Sequence, residues 1–202
     1  MNTRKSSSDR KQEILTATLK LAFEVGPDHV TTGMIAGRLG LSQPAIYKHF
    51  PKKEDVWQVV GNRVCERITE NTHRGERADQ PAIETLRGMV LDHLHLVTEV
   101  PALPEIMVTR DPTGSLNAAR HQIQAAMTDF RFGMSRAFET ARTMGALRTD
   151  LRTEDGMMLI FGIIQGLMLR LIVTRDPSSL VQDGERLLDL QLTLISGEGI
   201  LS

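Results

Sequence analysis

Helix breakers crowd the stretch between Gly26 and Pro51, and they dictate what this part of the chain can become. Gly26-Pro27 ends any helix arriving from the N-terminal side. Gly40 stops a second helix, Pro44 fits only in the first turn of a third, and Pro51 closes that one. The spacing predicts a first helix over about Asp9 to Val25, with Ile14, Leu21, Ala22 and Val25 on one apolar stripe. "VTTGMIAGRLG" is a short second helix capped by Thr31 or Thr32, and "QPAIYKHF" a third with Ser42 as N-cap. A longer fourth helix follows over about 53–72, with Glu54 and Asp55 favourable at its positive N-terminal end.

The rest of the chain is helical too. Nothing alternates with a period of two and nothing repeats. The polar run "HRGERADQP", 73–81, is the best candidate for a boundary. Beyond it, 82–100 carries Ile83, Leu86, Val90, Leu94 and Val97 on one face. "PALPEIMVTRDPTG" is a short helix and a turn. A long helix covers roughly 115–145, and two more fill about 153–175 and 179–197. The expected fold is all-α with about nine helices: a flexible arm over 1–8, a small helical domain over 9–52, a linking helix over 53–72 and a larger bundle over 82–202.

Composition narrows the classes. With 41% hydrophobic and 24% charged residues the chain is of ordinary globular type. Its single cysteine, Cys65, excludes an internal disulfide framework and fits a reducing cytoplasm. "MNTRKSSSDRK" has no apolar run of the kind a secretion signal needs. The run "MMLIFGIIQGLMLRLIV" carries Gln165 and Arg170, which are costly in hydrocarbon, so a helix buried between proteins is expected and no membrane partner. A phosphate loop, a nucleophile elbow, a usable Cys/His pair and paired carboxylates in an apolar setting are all missing, so neither enzyme activity nor a cofactor is expected. Residues 1–60 hold nine Lys/Arg against six Asp/Glu, a balance of +3, and the remainder fifteen against nineteen, a balance of -4. A basic module on an acidic body results.

The sharpest spacing lies inside 32–51. A helix-turn-helix needs a small residue where its helices pass, a turn residue tolerant of positive φ, and an apolar residue that locks the second helix down. Ala36, Gly40 and Ile46 stand at those places, with Ile35, Leu39 and Leu41 around them. Once Ile46 faces inward, Gln43, Ala45, Tyr47, Lys48 and His49 point outward or along the rim. Gln can pair with an adenine edge and Ala can touch a thymine methyl, while Lys, Tyr, Ser (such as Ser42) and Thr can hold phosphates. The alternative for the same cluster is a packing unit with a solvated basic face.

The first 60 residues resemble the DNA-binding domain of the TetR family, the tetracycline-repressor-like bacterial regulators. Thr32, Ile35-Ala36, Gly40-Leu41-Ser42, Ile46-Tyr47-Lys48-His49-Phe50 and Lys53-Glu54 carry the resemblance in order. It implies that Thr32 and Tyr47 hold phosphates, that Gln43, Pro44, Ala45 and Lys48 face bases, that His49 lies along the DNA backbone, and that Lys53 meets a phosphate. Thr18 departs from the family's usual Ala, and Gly33 lacks a side chain that relatives can use on DNA. The resemblance further implies a C-terminal effector-binding and dimerisation bundle, double-stranded operator DNA as partner, and repression relieved by a small, largely apolar molecule. Activation, or an adaptor role, on the same fold is the alternative; a helical-bundle enzyme has no motif behind it.

Within the bundle, the 153–175 helix is apolar around most of its circumference, which suits either a two-fold four-helix interface or a central core position. The dimer reading selects Ile160, Gly162, Ile163, Gly166, Leu167, Leu187, Leu190 and Leu194. Candidate pocket residues are Met89, His93, Met107, Met127, Phe130, Met134, Phe161 and Gln165, since flexible thioethers suit an adaptable cavity as well as irregular core filling. His93 is either a cavity polar group or a core histidine. Asp92, His95 and Glu99 share a face that reads as solvated, and no metal is expected there.

Overall fold

The computed structural model describes residues 6–77, 80–111 and 113–197, apart from the side chains of 75–77. Among these residues the regular elements are nine helices: α1 (Ser7–Val25), α2 (Thr32–Leu39), α3 (Gln43–Tyr47), α4 (Lys53–Arg77), α5 (Ala82–Glu99), α6 (Leu103–Val108), α7 (Asn117–Thr143), α8 (Thr153–Thr174) and α9 (Leu180–Leu194). One isolated antiparallel bridge joins Leu147 to Ser196. The chain divides into two compact units, Met1–Cys65 with Val100–Gln124, and Glu66–Glu99 with Ala125–Ser202. Both α4 and α7 contribute to each unit.

Several helix ends differ from expectation for identifiable reasons. Ser6 forms a capping box with Asp9, its hydroxyl accepting the Asp9 N–H at 3.0 Å while its own N–H donates to the Asp9 carboxylate at 3.2 Å. Ser7 and Ser8 therefore belong to α1 and not to a flexible arm; residues 1–5 lie outside the described residues. Val25, expected on the apolar stripe, is 42% exposed. The polar run after Thr72 is helical as far as Arg77. Arg74 anchors that extension, donating to Asn71 Oδ1 at 3.0 Å and pairing with Asp92 at 2.5 Å.

In the first unit, Ile14, Leu21, Ile35, Ile46, Phe50 and Trp57 are at most 4% exposed and form the core. Burying Phe50 and Trp57 stabilises the unit by about 2–3 kcal/mol apiece. Thr18 is fully buried but satisfied, since its hydroxyl donates to the Ile14 carbonyl at 2.8 Å. Arg38 of α2 grips Glu24 of α1 through two hydrogen bonds of 2.9 and 2.5 Å. On the 100–124 side, Arg120 of α7 donates to the Ile106 carbonyl at 2.6 Å and also to that of Thr109, closing the end of α6.

In the second unit, Arg87 of α5 holds Asp189 and Glu185 of α9 at 2.7 and 2.6 Å. Phe138 of α7 packs on Gly156 of α8, where an added β-carbon would come within 2.0 Å of the ring. Beside it, Glu139 accepts from Arg142 at 2.6 Å and from the Thr153 hydroxyl, and the guanidinium draws its carboxyl down to about 2. Asp92 and Glu99 pair with Arg74 and Arg67 of α4, and His95 and Glu99 are exposed, so the face expected to be solvated is exposed and also carries ion pairs to α4.

Candidate nucleic-acid interface

The α2–α3 angle is built as the sequence requires. Thr31 caps α2, its hydroxyl accepting the Met34 N–H at 3.1 Å, which leaves Thr32 for other duties. Gly40 sits at φ 64° and ψ 35°, the left-handed region where a β-carbon is penalised, and turns the chain between the two helices. The Leu41 N–H then donates to the Ala36 carbonyl at 2.9 Å. Ile35 and Ala36 are 1% and 3% exposed, and Ile46 is fully buried, pinning α3 down. After Tyr47 the helix gives way to a hydrogen-bonded turn, with Lys48 N–H on the Pro44 carbonyl and Phe50 N–H on that of Ile46.

With Ile46 inward, the neighbouring side chains have nowhere to go but out. Ser42, Gln43, Pro44, Tyr47 and Lys48 are exposed, and Thr32, Ala45, His49 and Lys53 are half-buried. None of the nine residues expected to meet DNA is tucked into the core. Ser42 occupies the N-cap position of α3, yet its hydroxyl makes no capping hydrogen bond. The Tyr47 hydroxyl lies 3.1 Å from the Thr32 hydroxyl, so two of the three residues expected to meet phosphates present adjoining oxygens from different helices. His49 Nδ1 stands 3.5 Å from Ser7 Oγ, and the Lys11 ammonium lies over the Phe50 ring at 5.8 Å. Asp55 accepts the Lys52 N–H at 2.8 Å and so fixes the start of α4 beside Lys53.

The second unit holds the residues singled out for a pocket and for a partner. Met89, His93, Phe130 and Met134 are buried there, and Met127 is half-buried. Met107 lies on α6 in the first unit. Phe161 is half-buried under the Arg131 guanidinium, 5.5 Å from its ring centre. Gln165 is exposed one turn before the exposed Leu169, so it belongs to the outer face of α8 and not to a pocket. A groove of 460 Å³ does form on this unit. Pro81, Ala82, Thr85 and Met89 line one wall, and Gly133, Arg136, Ala137, Thr140 and Met144 the other.

His93 is 6% exposed and its ring lies 5.2 Å from that of Phe130. Burial pushes its imidazole down to about 4, so the folded protein holds it neutral. Its contribution is complete above the ordinary histidine range near 6.5 and is lost as the pH falls from there towards 4. Roughly 2 kcal/mol should disappear between pH 7.5 and pH 5. His93→Leu should flatten that part of the stability curve in urea titrations; equal slopes for both proteins would refute it.

Helix α8 is long and apolar enough to cross a membrane by length and composition, with a third of its most apolar window buried. It is apolar on two sides. Ile160, Ile164, Leu167 and Leu171 are buried in this chain's own core, which corrects the expectation that Ile160 and Leu167 face a partner. Gly162 and Gly166 are exposed with Met158, Leu169 and Val173, while Ile163 and Leu187 are half-buried. Leu190 and Leu194 of α9 are 56% and 58% exposed.

The helix-turn-helix thus buries its apolar lock and leaves a polar, basic edge outside. Residues 14–59 match the sequence model for bacterial regulatory proteins of the tetR family. Over 174 residues the chain is 26% identical to the nucleoid occlusion factor SlmA of Actinobacillus pleuropneumoniae, covering 84% of each. It is 24% identical over 198 residues to the HTH-type transcriptional regulator TtgR of Pseudomonas putida, covering 96% of this chain and 94% of that one. The structure of the ketosteroid transcriptional regulator KstR2 of Mycobacterium tuberculosis superposes with a TM-score of 0.77 at 18% identity, covering 93% of this chain and 95% of the other. Residues 14–59 are thus similar to the DNA-binding part of the tetR family, and the likeness to a transcriptional regulator such as TtgR extends over most of the chain.

Proposed function

We propose that two copies of this chain bind a short inverted repeat in operator DNA, each laying α3 in a major groove, and that a small, largely apolar effector releases them from it. The observation that carries this reading is the outward set Ser42, Gln43, Pro44, Tyr47 and Lys48 around a fully buried Ile46. Gln43, Pro44, Ala45 and Lys48 face base edges, while Thr32, Tyr47 and Lys53 hold phosphates and His49 and Ser42 line the rim. The α8–α9 face with Gly162, Ile163, Gly166, Leu190 and Leu194 forms the two-fold contact, which fixes the half-site spacing. The effector enters the bundle near Met89, His93, Phe130 and Met134. Its preference for one of two states needs a coupling of ~1–3 kcal/mol, carried by α4 because that helix belongs to both units. The site of action is the cytoplasm, where the DNA is.

Tyr47→Ala and Lys53→Ala should each weaken binding to a selected operator by about tenfold while the dimer persists, and Lys53→Ala should lower the salt dependence by about one unit of slope. Gel-shift titrations at several salt concentrations measure both. Unchanged affinity in both variants would remove those residues from the interface. A second reading follows from the likeness to SlmA, in which the DNA-bound protein serves nucleoid occlusion and not transcription. A reporter gene placed behind the selected operator separates the two: effector-dependent expression supports the regulator, and expression indifferent to the protein supports the other.

A further inference from the structure

We propose that Gly33 sets the base preference of this protein by leaving room for Gln43, so that residues on α2 and α3 act as a single reading element. The proposal rests on the DNA-binding reading above. A β-carbon at Gly33 would stand 2.9 Å from Gln43 Nε2 and 3.7 Å from its Cδ, so the Gln43 amide occupies the space that any other residue at this position would fill. Gln43 opens α3 on the exposed edge, and its amide offers a donor and an acceptor in one plane, the pair that matches an adenine edge. Where that amide lies therefore decides which base it can reach. Gly33 holds it against the first turn of α2.

The contact is with the far end of a flexible side chain. Adding a methyl group at Gly33 moves the amide and leaves the helices where they are, so the aim of Gln43 changes and the fold does not. Gly37 supplies the control within the same helix. A β-carbon there meets nothing within 4 Å. Gly33→Ala and Gly37→Ala both improve helix propensity, and only the first intrudes on Gln43.

The experiment selects duplexes from a random DNA pool with the full-length protein and the variants Gly33→Ala, Gly37→Ala, Gln43→Ala and Gly33→Ala/Gln43→Ala, then sequences what each retains. Wild type and Gly37→Ala should return one consensus. Gly33→Ala should shift base preference at one position of each half-site by at least about fivefold, with an unchanged salt dependence because no phosphate contact is touched. The double variant should return the consensus of Gln43→Ala. A wild-type consensus from Gly33→Ala overturns the proposal, and so does a Gly33→Ala shift that persists without Gln43. If wild type itself enriches no sequence, the DNA-binding reading fails and takes the proposal with it.

Discussion

Replacing Leu169 and Leu190 together by glutamate is expected to turn a dimer of this chain into a monomer and to lower operator affinity by at least about 100-fold. Leu169 is 63% exposed and Leu190 56% exposed, so most of each residue's surface lies outside the core of its own subunit. Around them Met158 and Val173 are each 73% exposed, Leu159 49% and Leu194 58%. An apolar patch of this kind on a surface helix marks a place where something else docks. Four carboxylates introduced across a two-fold contact would be desolvated without partners, and each such burial costs several kcal/mol. Half-sites bound by separate monomers then lose the effective concentration that a dimer supplies. Light scattering at micromolar protein reads the assembly, gel shift on a selected operator reads the affinity, and circular dichroism should show undiminished helix. A wild-type protein that is monomeric, or a variant that still dimerises, would remove α8 and α9 from the interface.

The inner and outer faces of α8 also show where sequence stops being informative. Its inward set, Ile160, Ile164, Leu167 and Leu171, follows helical spacing, but so does the outward set of Met158, Gly162, Gly166, Leu169 and Val173. A helix apolar all round has no polar face to orient it, so Ile160 and Leu167 could not be told from their neighbours. The α2–α3 angle is the opposite case. Gly40, Ala36 and Ile46 are each there for a local backbone or packing reason, and a local reason can be read from a local stretch. Between these extremes lie contacts that join distant segments, such as Arg87 with Asp189 or Arg74 with Asp92. Nothing near either partner signals them. Trp57, the one tryptophan, is 1% exposed in the first unit, yet nothing in the apolar row around it at the start of α4 says which segments bury it. The pocket candidates were the least legible because methionine is used both ways: Met89 and Met134 are buried while Met144 and Met158 are 76% and 73% exposed.

Gly61→Leu is expected to destabilise the protein by upwards of ~3 kcal/mol, although leucine is the better helix former by nearly 1 kcal/mol. Gly61 is buried in α4 where α7 crosses it, and a β-carbon there would stand 2.7 Å from the Ala119 Cα and 2.8 Å from Gln122 Oε1. The first of these is backbone, so it cannot rotate out of the way; the helices themselves must separate. The second is a buried oxygen without a hydrogen-bond partner among the described residues, so crowding it gains nothing in return. Gly88→Ala on α5 provides the contrast, because a β-carbon at that position meets nothing within 4 Å and better propensity should dominate. Urea denaturation of the two variants should therefore move the midpoint in opposite directions. If Gly61→Leu left it unchanged or raised it, the tight α4–α7 crossing would be wrong, and so would the idea that glycine at this position is required by the approach of one backbone to another.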